Sequence, residues 1–503
     1  MIPTRTLLSA LLVATAIAAC DPGVIPIEPD ARERIDAPPI DAPPIDTPDS
    51  TVCPVSGTAI NPSLVVNDPA MLTGFTLARV IDRLRVTSGA AATQTPRAIY
   101  QAWMRTFNAT AASGDCDDPT IDPNHYGLMC PRGPESKLAT VDPFAPDSPV
   151  QFVPLGLFNR FDLAPADGSN CGEYRIVFSM RSTIPTIAGR ALVIFEGVLA
   201  NPTPELGIDA CLPVAQFWQG LSADPSSASR AAKLERFYFD GTAVPGFGPV
   251  VTAQSYGLAL GSTAAHGAGQ IRTNFFIDSV EWQLREFKLR RTCTDPNDTS
   301  TCRLVVAHVT VKANPAEELF TGFHERSPSF ESQFLAQLSR LTVTNVAAIS
   351  LAPADQFNEF ESVASRAEVD YTRVAGFQFL ETIRTRLAAM GSSLAAEDIL
   401  RRATTQTCAG CHQQSNGVQL GNGMVWPPSL EFTHIDENHR LSPALTQAFL
   451  PRRRAVLEAF INARCGALDA ARIVDGIDLG DAAVRAAAAD GLTLGGSAVG
   501  SPN

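Results

Sequence analysis

Five strand-like runs between residues 173 and 311 constrain the fold of this chain most strongly. They are EYRIVFSMRS, RALVIFEGVLA, IRTNFFI, EWQLREFKL and RLVVAHVTV, and all are rich in β-branched and aromatic residues and bounded by Gly, Pro or Asn. Two helical patterns, LPVAQFWQGLS and SRAAKLERFYF, interrupt the series. Strands of this length with helical insertions predict an α+β fold built on a mainly antiparallel sheet.

Helical patterns flank the strand-like region on both sides. Apolar residues recur every three or four positions in DPAMLTGFTLARVIDRLRV and PRAIYQAWMRTFN, and again in SFESQFLAQLSRL and RVAGFQFLETIRTRLAAM. A further helix is expected in SSLAAEDILRRATT, with Ser393 as its N-cap and Glu397 and Asp398 near its positive end.

These patterns divide the chain into segments. We expect an α+β domain over residues 58–326, a helical connector over 327–391 and a small all-α domain over 392–470. An Ala/Gly-rich tail, 471–503, follows.

The N-terminal sequence predicts export. MIPTRTLLSALLVATAIAAC places Arg5 before an apolar run that is too short to span a membrane, which indicates a signal peptide over residues 1–19. Residues 20–57 repeat Ile-Asp-Ala-Pro-Pro and predict an extended, solvated tether.

The end of the signal resembles the lipobox of bacterial lipoproteins. Ile17-Ala18-Ala19-Cys20 has an aliphatic residue and two small residues before the cysteine. The resemblance implies cleavage before Cys20, lipidation of its thiol and a membrane-anchored protein that faces the periplasm or the cell surface. A plain signal peptide with an incidental cysteine is the alternative.

The charge of the chain argues against one class of partner. Its 39 basic and 52 acidic side chains give a net charge of −13, which repels phosphate backbones. We therefore expect no nucleic-acid partner.

The cysteine count is compatible with disulfides in an oxidising compartment. Of 11 cysteines, eight remain when Cys20, Cys408 and Cys411 are set aside. Cys293 and Cys302 bracket a turn-rich loop between two strand-like runs, and Cys116 and Cys130 bracket a similar loop. Elimination then leaves Cys171 with Cys211 and Cys53 with Cys465.

The segment TQTCAGCHQQ places Cys408, Cys411 and His412 in the order Cys-x-x-Cys-His. Two thiols at this spacing match the two vinyl groups of a porphyrin, and the adjacent imidazole supplies an axial nitrogen to the iron. Three other interpretations remain open: a thioredoxin-like redox pair, a zinc knuckle and a structural disulfide.

Around this motif the chain resembles class I c-type cytochromes. The resemblance covers residues 392–465, where a helix runs into the motif, a Gly-rich loop and Pro-Pro-Ser-Leu follow, and LSPALTQAFLPRRRAVLEAFINARC is the closing helix. It implies one covalent haem c held by Cys408 and Cys411, with His412 as the proximal ligand.

The distal ligand departs from the family's pattern. The family's methionine lies several tens of residues beyond the motif, whereas here Met424 is 12 residues beyond His412 and no methionine follows. Met424 and His434 are the distal candidates, an open position is the alternative, and His439 is a further nearby donor. The run Arg452 to Arg454 either pairs with haem propionates or an acidic partner or forms a solvated face.

The large domain carries a second group of candidate residues. These residues either meet in a buried ion network or pocket lining, or form cross-strand charge pairs on a sheet face. They are Arg160, Asp162, Glu173, Arg175, Arg272, Glu281, Arg285 and Glu286.

Taken together, these features predict a membrane-tethered cytochrome that carries electrons to an unidentified redox partner. An open coordination position would instead favour an oxidoreductase. The alternative is a surface or periplasmic binding lipoprotein in which Cys408 and Cys411 form a disulfide or a metal site.

Overall fold

The computed structural model describes residues 63–108, 132–258, 268–277, 281–364 and 370–464. Several expectations lie outside these ranges: the signal peptide and tether, the lipidation of Cys20, the tail, and the pairings of Cys53, Cys116, Cys130 and Cys465. Within the described residues no helix has the length and apolar character needed to cross a membrane.

An antiparallel sheet forms the centre of the described part and confirms the expected α+β class. Its first seven strands follow one another in chain order, each pairing with the next, while β8 pairs with the beginning of β6. The strands are β1 (Val65–Val66), β2 (Val150–Arg160), β3 (Asn170–Ser182), β4 (Gly189–Ala200), β5 (Gln270–Ile277), β6 (Gln283–Cys293), β7 (Cys302–Val309) and β8 (Glu361–Val363).

The five expected strand-like runs correspond to β3 to β7. The sequence analysis did not identify β2, and the reason lies in the strand itself. Its pairing with β3 shifts register between Pro154 and Gly156. Proline lacks the N–H that a strand interior uses and glycine weakens a strand, so the alternation that marks strands is broken here.

Helices cover the sheet and its ends. Those of the described ranges are α1 (Pro69–Leu72), α2 (Leu77–Thr87), α3 (Pro96–Arg105), α4 (Gly133–Ser136), α5 (Leu212–Ala223), α6 (Ser227–Glu235), α7 (Ser327–Ala336), α8 (Leu338–Leu341), α9 (Phe377–Ala389), α10 (Ala396–Thr404) and α11 (Leu450–Arg464). Thr76 and Thr95 cap α2 and α3 by accepting hydrogen bonds from Arg79 N and Ala98 N.

The expected cap of α10 was wrong. The helix begins after Ala395 rather than at Ser393, whose hydroxyl instead lies 3.1 Å from Asn422 Oδ1. Asp398 takes over the capping role, because its carboxylate accepts a hydrogen bond from Ala395 N at 3.0 Å. The acidic residues do lie in the first turn, as expected from the helix dipole.

Residues 392–464 are distributed between two buried cores. Helix α10 and Trp426 pack with α7 to α9, whereas Leu457 and Ile461 of α11 belong to the large core that contains the sheet. Phe460 of α11 also contacts Phe161 at the end of β2, with ring centroids 4.7 Å apart. The last helix is therefore anchored on the strand domain.

Two disulfides are present among the described residues. Cys293 and Cys302 join β6 to β7 at the neck of their hairpin, and Cys171 and Cys211 join β3 to the segment before α5. Both pairs occur in the set suggested by the sequence.

Candidate functional site

A cleft of about 440 Å³ lies between the sheet and the Cys-x-x-Cys-His segment. Its lining includes Cys408, Cys411 and His412 on one side and Arg175 and Arg272 of the sheet on another. The volume falls within the range of roughly 300–1,000 Å³ that is usual for ligand and cofactor sites.

The motif adopts a tight helical conformation directly after α10. Cys411 N donates to Thr407 O at 2.9 Å, and residues Gly410–Gln414 form a short π-helical turn. A Cβ added to Gly410 would lie 1.9 Å from Thr404 O, so a larger residue would displace the motif from the end of the helix. The second variable position of Cys-x-x-Cys is therefore restricted to glycine by packing.

The two cysteines of the motif are not joined in a disulfide and differ in their surroundings. Cys408 is buried in a small cluster with Trp282 and Leu284, beside the sheet, whereas Cys411 is partly buried. Burial raises the pKa of the Cys411 thiol to about 11. The structure joins neither cysteine in a disulfide, which the structural-bridge alternative would require.

The His412 ring is oriented by groups on its Nδ1 side. Nδ1 lies 2.9 Å from the carbonyl oxygen of Phe432, so it carries the proton and donates, leaving Nε2 with its lone pair. Asn274 of β5 donates to the same carbonyl at 2.8 Å, and Trp282 Nε1 donates to Asn274 Oδ1 at 2.7 Å. Burial lowers the pKa of His412 to about 4, which keeps the imidazole neutral at physiological pH.

The backbone is strained at the residues that present the Phe432 carbonyl to His412. Glu431 and Phe432 are consecutive non-glycine residues with φ of 50° and 65°. Each costs about 1–2 kcal/mol relative to ordinary backbone, and such strain is often found at functional sites. Arg190 of β4 holds this loop through Glu437, at 2.8 and 3.0 Å, and through the Leu430 carbonyl at 2.7 Å.

The two distal candidates lie in different surroundings. His434 lines the cleft, with its ring centroid 5.0 Å from that of His412 and its Nε2 3.4 Å from Cys411 Sγ. Its Nδ1 lies 2.9 Å from the buried Ser442 hydroxyl. Met424 instead packs at the edge of the second core and lines a separate surface pocket. The structure brings His434, and not Met424, to the motif.

His439, the other nearby donor, lies outside the cleft lining. Its Nδ1 is 2.9 Å from the carbonyl oxygen of Leu155, in β2.

Five of the charged residues noted in the large domain line the cleft: Arg160, Asp162, Glu173, Arg175 and Arg272. Of these, Arg175 and Arg272 also form cross-strand ion pairs. Arg175 pairs with Glu173 at 2.6 Å and with Glu196 at 3.0 Å, and Arg272 pairs with Glu286 at 2.9 Å. Both suggested arrangements therefore occur together. Glu281, Arg285 and Glu286 do not line the cleft, and Arg285 lies 3.6 Å from Glu361.

Sequence reasoning had not identified Glu196 as part of this network. Burial raises the pKa of its carboxyl, but Arg175 and Arg272 outweigh that effect and hold the pKa below its usual value. Its position opposite Arg175 in the β3–β4 register was the signal that would have revealed it.

The three consecutive arginines of α11, Arg452 to Arg454, do not share the same surroundings. Arg452 and Arg453 line the cleft, while Arg454 forms an i, i+4 pair with Glu458 at 2.7 Å. The three consecutive cations therefore do not share one solvated face.

The described residues contain no group of three or more His, Cys, Asp or Glu side chains placed to hold a metal ion. A haem iron takes most of its ligands from the porphyrin, so that finding concerns free metal ions. No protein-family model, curated protein or solved structure matches the chain.

Proposed function

We propose that this chain is a c-type cytochrome that carries one covalent haem and transfers single electrons outside the cytoplasm. The observation that carries the proposal is the geometry of His412. Its Nδ1 donates to the Phe432 carbonyl, and its ring lines a cofactor-sized cleft beside two cysteines that form no disulfide. This arrangement leaves Nε2 as the ligand atom.

The residues present fit a haem in both chemistry and position. Cys408 and Cys411 would hold it through thioether bonds, and His412 would supply the proximal nitrogen. Trp426 and Phe449 offer apolar contacts in the cleft, and the arginines offer partners for carboxylates. A haem bound there would supply an Fe(III)/Fe(II) couple.

We assign the distal position to His434. Its place in the cleft supports this choice, as does the buried Ser442 hydroxyl, which hydrogen-bonds Nδ1 and so leaves Nε2 as the ring nitrogen available to bind the iron. Two histidine ligands favour electron transfer over reactions that need an open coordination position. The protein is accordingly an electron carrier rather than an oxidoreductase.

The tether and lipid complete the proposal. The lipobox-like sequence before Cys20 and the Pro/Asp-rich segment support a cytochrome held at a membrane surface and free to meet a redox partner. A surface or periplasmic binding lipoprotein remains the second candidate, and the cationic cleft is the observation that favours it.

A redox titration tests the electron-transfer function. The full chain, produced with a covalent haem maturation system, is expected to titrate as one reversible one-electron couple per chain. His412→Ala should abolish that couple, whereas His439→Asn, a histidine outside the cleft, should preserve it. A protein that bears haem but cannot be cycled between ferric and ferrous forms would count against electron carriage.

A further inference from the structure

The cleft contains a guanidinium whose charge is poorly matched by the protein. Arg453 has 12% of its side chain exposed, and its ion pair in the described part is with Asp162 Oδ2, 3.9 Å from Nε. Asp162 is already engaged by Arg160, at 2.9 to 3.2 Å through two nitrogens. Within the described ranges the Arg453 guanidinium makes no hydrogen bond.

Like charges surround this group. Burial, and then the neighbouring Arg160, lower the pKa of Arg453 to about 9, although Asp162 acts in the opposite direction. An arginine in such a place loses hydration without gaining a full set of partners, an unfavourable arrangement that a bound anion would relieve.

The excess of positive charge extends over the whole cleft. Six cationic side chains line it in the described structure, against two carboxylates, those of Asp162 and Glu173. Counting also Glu196 and Glu286, which pair with lining arginines, the cations still exceed the carboxylates by two. A ligand that carries negative charge would offset this excess.

An unsatisfied donor provides a second, independent observation. Trp426 lines the same cleft and is 2% exposed, and its Nε1–H has no acceptor among the described residues. Two other buried indole nitrogens, those of Trp103 and Trp218, also have no acceptor in the described ranges, but of the three only Trp426 lines the cleft, where a ligand could supply one.

We infer that Arg453, Arg160 and Trp426 form a binding subsite for carboxylate groups. The carboxylate is either a propionate of the haem or part of a free organic dicarboxylic acid. Arginine suits either source, because its planar fork matches the two oxygens of a carboxylate. This inference rests on the proposed function only for the propionate source.

The first test measures the haem midpoint potential in the full haem-bearing chain. A nearby cation stabilises the ferrous state, so Arg453→Gln should lower the potential. Arg453→Lys keeps the charge but loses the planar fork, so its midpoint potential should lie between that of Arg453→Gln and that of the unmodified protein. Arg454→Gln, one residue away and outside the cleft, is the matched control and should leave the potential unchanged.

Malonate, a small dicarboxylate, distinguishes a subsite occupied by a haem propionate from one that binds free acids. If a propionate occupies the subsite, malonate will not change the potential of the unmodified protein. If the subsite takes free acids, malonate will shift that potential and will not shift that of Arg453→Gln. An Arg453→Gln protein with unmodified potential and unmodified malonate response would overturn the inference.

If the purified protein is colourless and so carries no haem, the proposed function fails but the carboxylate subsite can still be tested. In that case malonate should raise the thermal unfolding temperature of the full chain and of Arg454→Gln, since binding to the folded state stabilises it. Arg453→Gln should show no such rise. Equal rises in all three proteins, or none in any, would overturn the subsite.

Discussion

His434 and Met424 lie ten residues apart, yet their side chains occupy different environments. His434 lines the cleft with His412, while Met424 packs at the edge of the second core. If haem is present, His434→Ala should convert a six-coordinate low-spin spectrum into a high-spin one, since the iron loses its sixth ligand. Met424→Leu should leave the spectrum unchanged, and optical and electron paramagnetic resonance spectra distinguish these cases. The reverse pattern would assign the distal position to Met424.

A second prediction at the residue scale concerns His308, on β7. Burial lowers its pKa to about 3, below the value of about 6.5 for the unfolded chain. The unfolded state then binds more protons, so the contribution of His308 is fully present above pH ~6.5 and is lost as the pH falls toward 3.

Chemical denaturation at several pH values measures this effect. The free energy of unfolding should decline by on the order of 1–3 kcal/mol more between pH 7 and pH 4 in the unmodified protein than in His308→Gln. Identical pH profiles for the two proteins would show that His308 is not held neutral by burial.

At the scale of elements, the loop 429–437 has strained backbone at the point where its Phe432 carbonyl orients the His412 ring. Glu431→Gly should stabilise the fold by up to about 1 kcal/mol, because glycine adopts positive φ freely and this gain exceeds its added unfolded-state entropy. Glu431→Ala removes the same exposed side chain but retains the strain, so it is the matched control. Thermal unfolding measures both, and equal stabilities for the two variants would contradict the argument.

The elements also show what the sequence can and cannot reveal. Strands β3 to β7 were predictable because their β-branched and aromatic residues are bounded by turn residues. Strand β2 was not, because Pro154 and Gly156 interrupt it at a register shift. The start of α10 was misplaced because Asp398 caps the helix from inside it rather than from before it.

The sequence predicted the motif of the candidate site but not the residues that orient it. Cys408, Cys411 and His412 are adjacent in sequence, so a pattern identifies them. Asn274 and Trp282, which orient His412 through the Phe432 carbonyl, lie more than a hundred residues earlier. Such partners are brought together by sheet register and loop packing, which a single sequence does not display.

At the scale of the whole molecule, the last helix, α11, and the sheet share a core. Ile461 of α11 is fully buried among residues of the strand domain. Ile461→Ala should therefore lower the free energy of unfolding by about 2–5 kcal/mol. Asn462→Ala, an exposed position on the same helix, should change it by less than about 0.5 kcal/mol.

Two probes during denaturation test whether that core is shared. If haem is present, sheet circular dichroism and the haem absorbance should shift together in Ile461→Ala, because one packed unit loses contacts. If the haem signal moves while the sheet signal does not, residues 392–464 unfold separately from the strands.

The central claim is that Cys408 and Cys411 hold one haem covalently. The most direct measurement is the intact mass of the full chain, produced with a maturation system, together with its pyridine haemochrome spectrum. We predict the mass of one added haem and the spectrum of a haem with two thioether bonds, both lost in the double variant Cys408→Ala, Cys411→Ala. A colourless protein with the mass of the bare polypeptide would contradict the claim.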